Sequence, residues 1–143
     1  MTIQQISVFL ENRTGQLSEI TDVLANSKVD LRALHIADTA DYGVLRLITS
    51  NPAEASKALL ENGFILSMTP VMAVEVPDEP GGLARLLNIL AKAGLDIEYM
   101  YSAFGQKGGS AYMIFRVADV QQMEDILKEN ALTTVGGEAL GIA

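Results

Sequence analysis

The sequence predicts an α+β fold of two βαββαβ units, each a four-stranded antiparallel sheet with two helices on one face. Three observations predict it. Two-residue and 3.6-residue apolar periods follow one another as strand, helix, strand, strand, helix, strand, and then repeat in that order. The loop ENRTGQL, Glu11 to Leu17, is echoed by DEPGGL, Asp78 to Leu83, each between a strand pattern and a helix pattern. At an offset of 66 positions Gly15, Leu17, Leu24, Ala25 and Asp30 meet Gly81, Leu83, Leu90, Ala91 and Asp96; after the longer second hairpin the offset is 68, and Leu59 meets Leu127. The implied units are residues 1–69 and 70–143. With 143 residues, 49% of them apolar, the chain can fill two small cores, though a unit of that size is marginally stable alone.

In the first unit Ile6, Val8 and Leu10 alternate with Gln5, Ser7 and Phe9, as in a strand. Leu17, Ile20, Val23 and Leu24 recur at helical spacing, and that helix ends near Ser27. Leu31 to Ala37 returns to a two-residue period. Tyr42 to Thr49 continues it beyond the turn formers Asp38 to Asp41. Asn51 is placed as an N-cap with Pro52 in the first turn. Ala55, Leu59 and Leu60 line this second helix, Gly63 stops it, and Phe64 to Met68 is a short fourth strand. The second unit repeats the order. Met72 to Val76 is a strand and Gly82 to Ala93 a helix, with Leu83, Leu86, Leu87 and Leu90 on one side and Gly94 at its end. Asp96 to Phe104 and Ala111 to Val117 are strands around GQKGG, Gly105 to Gly109, which reads as a hairpin tip. Asp119 caps a helix to about Asn130 with Val120, Met123, Ile126 and Leu127 inward, and Leu132 to Val135 is the last strand. Glu138 to Ala143 forms a tail element of no evident type.

Composition removes several kinds of chemistry. There are no cysteines, hence no disulfide framework or thiolate, and His35 is the single histidine, so no metal site is expected. A lone histidine on a strand reads as structural. Eighteen acidic against ten basic residues give a formal charge of −8, which disfavours nucleic acid and anionic membrane. The excess carboxylates keep the chain soluble. MTIQQISVFLENR lacks a basic region followed by a long apolar run, and no apolar run approaches membrane-spanning length. The expectation is a soluble cytoplasmic protein. Tyr99, Tyr101, Phe104 and Tyr112 could stack bases on a sheet, but with only Lys107 and Arg116 nearby in sequence they read as buried or interface aromatics. Glu75, Asp78 and Glu79 have no nucleophile or metal placed beside them.

The repeated loop is the candidate site. A strand that enters a helix through a glycine-bearing turn presents unpaired N–H groups at the helix N-terminus, where the dipole favours a carboxylate or phosphate. Gly15 and the Gly81-Gly82 pair permit close backbone approach. Asn12 and Asp78, three residues earlier, can accept from a ligand amine. The plainer reading is a helix start with a turn glycine. Two loops in matching register, each followed fifteen residues after its glycine by an aspartate at a strand start, favour a ligand.

ENRTGQL and DEPGGL, with the passages KVDLRAL and GLDIEYM, resemble a tandem ACT-domain protein of the stand-alone, amino-acid-binding regulatory kind, and the likeness covers nearly the whole chain. Thr14 stands where the family's loop usually has the proline that Pro80 keeps. The resemblance implies a ferredoxin-like fold and regulation by a free amino acid, with no cofactor and no catalysis. It implies edge pairing of units through their second strands, with ligand held where a pair meets. The implied loop contacts are Asn12, Gly15, Gln16 and Leu17, and Asp78, Gly81, Gly82 and Leu83. Those from a partner unit's second strand are Asp30 with Leu31 and Asp96 with Ile97. Asp30 and Asp96 are otherwise solvated turn residues. Output would pass through a homodimer or a regulated enzyme partner.

The link between the units, about Ser67 to Val71, spans roughly 13–14 Å when stretched. Crossing several strands at about 4.8 Å each exceeds that. It predicts face-to-face stacking of the two sheets within a chain and edge pairing between chains. Two rival functions remain. One is a small ferredoxin-like enzyme, acylphosphatase- or mutase-like, for which Arg13 beside Asn12 is the sole phosphate-gripping candidate. The other is a structural interaction module without ligand.

Overall fold

Apolar alternation builds strands in the positions the sequence marks, and in each unit helices cover one face of them. The structure is a computed structural model that describes residues 1–11, 13–38, 42–105 and 107–143. Asn12, most of the predicted 38–41 turn and Gln106 of the GQKGG tip therefore lie outside the described residues. By contact the chain forms two compact units. One comprises Gln4–Thr69 with Ile142–Ala143, here the N-terminal unit; the other comprises Pro70–Gly141 with Met1–Ile3, the C-terminal unit.

The N-terminal unit contains β1 (Ile3–Glu11), α1 (Gln16–Asn26), β2 (Leu31–Asp38), β3 (Tyr42–Thr49), α2 (Pro52–Glu61) and the first part of β4 (Ile65–Pro77). Its strand order is β2-β3-β1-β4. Both β1 and β2 run antiparallel to β3, which places Leu10 and Asp38 opposite Gly43, and Leu31 opposite Thr49. Ile6, Val8, Leu10, Leu45 and Leu47 point from the strands into a core shared with Ile20 and Leu24 of α1 and Ala55 and Leu59 of α2. Burial of each large aliphatic side chain contributes about 2 kcal/mol. Leu17 and Leu60 do not join this core. Leu60 is 56% exposed and Ala58 is buried in its stead, because a ten-residue helix has room for only one narrow inward stripe.

The C-terminal unit repeats the plan with the later part of β4, α3 (Gly82–Lys92), β5 (Ile97–Ala103), β6 (Ser110–Val117), α4 (Val120–Glu129) and β7 (Thr134–Val135). Its order is β5-β6-β4-β7, the counterpart of the first. Met72, Val74 and Val76 meet Leu86, Leu90, Phe115, Met123, Ile126 and Leu127 in its core. The predicted caps form: Asn51 Oδ1 accepts from Glu54 N–H at 3.1 Å and Asp119 Oδ1 from Gln122 N–H at 3.0 Å. The tail is a 3-10 turn, Gly137–Leu140, anchored by buried Leu140.

One expectation is corrected. Phe64–Met68 and Met72–Val76 are not separate strands, since β4 runs unbroken for 13 residues. Pro70 reads as a break, yet a strand tolerates proline where no ladder N–H is required, and its carbonyl accepts from Arg116 Nη1 at 3.0 Å. Ser67 to Val71 is thus strand and not a free linker, and the stacking argument built on its reach loses its premise. Among the described residues no helix is long and apolar enough to cross a membrane.

Candidate functional site

Each unit opens its first helix from the same turn. Arg13 N–H donates to Glu11 O at 2.8 Å, and Glu79 N–H to Pro77 O at 2.9 Å. The next residues lead to glycines with nearly identical left-handed torsions, Gly15 at φ 86° and ψ −4°, Gly81 at φ 85° and ψ −6°. A side chain would be strained at either position, which explains the glycines without any ligand. Neither helix has a side-chain N-cap. Past Gln16 and Gly82, whose N–H groups donate within the turn, the opening N–H groups of α1 and α3 are therefore left for solvent or a ligand.

An ion pair braces each loop to its helix. Arg13 donates to both carboxylate oxygens of Glu19, at 3.0 and 3.2 Å. Arg85 donates to Glu79 at 2.7 Å. These are equivalent positions of the repeat with the charges exchanged. The Arg13 hydrogen bond holds the Glu19 carboxyl below its ordinary range, and Glu19 in turn raises the Arg13 guanidinium.

The loops differ at the first helical residue. Gln16 is 7% exposed, and its Oε1 is shielded from solvent with no hydrogen-bond donor among the described residues. It lines two hollows beside the loop, of about 300 and 260 Å³. The larger has apolar walls from Leu10, Leu17 and Ile36, with Gly15 and Gly43 at its margin. Leu17, 42% exposed, is a wall residue of this hollow. At the equivalent place in the second loop stands Gly82, where a Cβ would lie 2.2 Å from the Pro77 carbonyl oxygen. Main chain fills that space.

The predicted contacts fall into separate groups. Gly15, Gln16 and Leu17 come together around the first hollow; Asn12 lies outside the described residues. Asp78 is exposed and its N–H donates to Gly109 O at 3.1 Å. Gly81 is exposed, Gly82 buried and Leu83 half-buried against the C-terminal core. Asp30 and Leu31 do not approach the first loop of their own unit. The β2–β3 register puts them at the far end of the sheet, seven strand residues or roughly 23 Å away. There Asp30 exchanges hydrogen bonds with Ser50, and its carboxylate pairs with Arg32 at 3.1 Å. Asp96 and Ile97 are equally remote from Gly81, as Ile97 sits opposite Val117 while Pro77 sits opposite Ser110. The apolar wall supplied by Ile36 and the hollow's edge at Gly43 were not foreseen. Gly43 pairs with Leu10 of β1 and Ile36 with Leu45 of β3, and that register was the signal that could have found them.

A repeated βαββαβ unit with a glycine-capped helix after its first strand defines a tandem ferredoxin-like protein. More narrowly, a family model described as an ACT domain pair matches residues 1–142, and the chain belongs to that family. It is similar to the crystal structure of protein BT0572 from Bacteroides thetaiotaomicron, with 39% identity, a TM-score of 0.90, and coverage of 99% of this chain and 96% of that one. The regulatory subunit of aspartate kinase from Thermus thermophilus, in a ligand-free form, shares the fold at 15% identity and TM-score 0.65 over 87% of each chain. So does Clostridium acetobutylicum aspartate kinase, at 15% identity and TM-score 0.52, where the match covers 91% of this chain but 33% of that one. No curated protein matches in sequence.

Proposed function

We propose that this protein is a non-catalytic regulatory sensor of a free amino acid. The observation that carries the reading is the first loop, where uncapped N–H groups of α1, a hollow of about 300 Å³ and the donorless Gln16 carbonyl coincide. A zwitterion fits this chemistry. Its carboxylate suits the Leu17 and Ser18 N–H groups at the positive end of the helix, and its ammonium suits a carbonyl or carboxylate acceptor. Asn12 would be a further loop contact in this reading. Asp30 and Leu31, remote from the loop of their own unit, would serve the loop of a second copy in a homodimer paired through β2. By the same logic Asp96 and Ile97 would face Asp78, Gly81, Gly82 and Leu83. Ligand then shifts the association or shape of the dimer, and through it a regulated enzyme, provided it binds one arrangement better than the other.

The phosphate-enzyme reading is weakened by Arg13, whose guanidinium is engaged bidentately by Glu19. The test is thermal unfolding with each standard amino acid in turn. A ligand at a hundred times its dissociation constant that binds only the folded state stabilises by about 2.7 kcal/mol. A raised midpoint for one or two amino acids, removed by Gly15→Val, supports the sensor. No shift with any of them returns the loops to scaffold and leaves a structural interaction module.

A further inference from the structure

We propose that the residue at the first helical position, Gln16 in one loop and Gly82 in the other, decides which loop takes ligand, so that each chain binds one amino acid, at the first loop. The proposal rests on the amino-acid-binding reading above.

The two loops share the turn, the cap glycine torsions and a brace between loop and helix. Without a side chain, Gly82 lets the end of β4 close onto the start of α3, with the Pro77 carbonyl in the position a Cβ would need. The turn hydrogen bond there, Gly82 N–H to Glu79 O, is 3.0 Å. In the first loop a side chain, that of Gln16, is buried at this position as a wedge that Gly82 lacks. The equivalent bond, Gln16 N–H to Arg13 O, is 3.4 Å, and Gln16 lines two hollows. Gln16 also supplies the acceptor, its shielded carbonyl turning into the hollow to meet the ligand. A buried carbonyl with no donor gains more from an arriving N–H than a carbonyl already served, and a site built around such an acceptor rejects a ligand that lacks the donor. Gly82 can supply neither the wedge nor the acceptor.

The experiment is native mass spectrometry of the full chain with each standard amino acid, followed by calorimetric titration of any that binds. Four proteins are compared: the wild type, Gln16→Met, Gln16→Glu and Glu79→Ala. The expected result is one ligand per chain. Gln16→Met keeps the wedge and loses the acceptor, and affinity falls at least tenfold. Gln16→Glu restores an acceptor and retains binding. Glu79→Ala, which unbraces the second loop, leaves affinity within twofold. Two ligands per chain, or wild-type affinity in Gln16→Met, overturns the proposal while the sensor reading stands. Binding of no amino acid by the wild type overturns both.

Discussion

Gln16→Met is expected to make the unliganded protein more stable while impairing its ligand response. The Gln16 side chain is buried, and its Oε1 has neither water access nor a donor. Leaving such an acceptor unserved costs about 1–3 kcal/mol. Methionine matches the length and unbranched shape of glutamine and adapts to irregular gaps. The substitution removes the buried carbonyl without opening a cavity. Against that gain stands whatever the amide nitrogen contributes, so the net is set near the low end, about 1 kcal/mol. For a unit of this size 1 kcal/mol raises the midpoint by about 4–8 °C. The assay is thermal or urea unfolding without ligand. A lower midpoint for Gln16→Met refutes the reasoning, since it means that Oε1 is satisfied in the free protein. Thr49→Val serves as a comparison. Thr49 Oγ1 is likewise buried and without a partner, and the equivalent position of the second unit already holds Val117. That change should also stabilise by about 1 kcal/mol, with the ligand response intact. The contrast separates a carbonyl kept for binding from a hydroxyl that merely sits in a core.

Gly82→Ala should be the more damaging of two glycine changes, costing about 3 kcal/mol, because the Pro77 carbonyl at 2.2 Å is backbone and cannot swing aside. Gly15→Ala, with nothing within 4 Å of the added atom but φ at +86°, should cost about 1 kcal/mol in unfolding free energy; an equal or larger loss at Gly15 would contradict the packing argument. Glu75 accepts from Ser110 at 2.6 Å and Lys107 at 3.3 Å, and these hold its carboxyl below the ordinary value of 4.5. Its contribution is present above that value and is lost as pH falls through the depressed one. The stability deficit of Glu75→Gln should therefore shrink as the pH of an acid titration drops below about 4.5, and a deficit independent of pH would show that Glu75 acts by packing. Arg13→Glu and Glu19→Arg should each lower the unfolding midpoint slightly, and the double reversal, which recreates the Glu79–Arg85 arrangement, should recover most of the loss. A double variant no better than the worse single one would mean that the pair does not brace the loop.

Legibility in the sequence followed the range of the physical signal. Elements with a complete local signature emerged with little error: β3 from its alternation, α2 from Asn51 and Pro52, α4 from Asp119. The break foreseen near Pro70 shows the opposite case, because proline carries a strong local signal that a strand can absorb where the ladder does not need its N–H. The partition of the ends, with Met1–Ile3 among the contacts of the C-terminal unit and Ile142–Ala143 among those of the N-terminal one, has no local signature at all. In the candidate site Gly15 and Gly81 were legible because a positive φ demands a residue type. Ile36 and Gly43 were not, because their nearness to the loop depends on strand register. Gln16 was legible as a loop member but not as a buried one, since polarity argued for the surface.

The repeat itself sorts the loop residues by role. Arg13 and Glu19 change places in charge with Glu79 and Arg85 while the contact survives. What the fold requires there is attraction between two positions, whichever sign each carries. That argues against a ligand at Arg13, for a residue recruited to grip phosphate could not trade its charge for a carboxylate. The cap glycine does not vary at all, as its torsion allows no substitute of equal cost. Position 16 combines a change of kind, from a buried amide to no side chain, with a change in local shape. A folding requirement would have kept it constant or exchanged it in a matched pair. Its difference, and the unserved carbonyl that goes with it, is a feature of the described loop residues that stability does not explain, and it is there that a ligand would act.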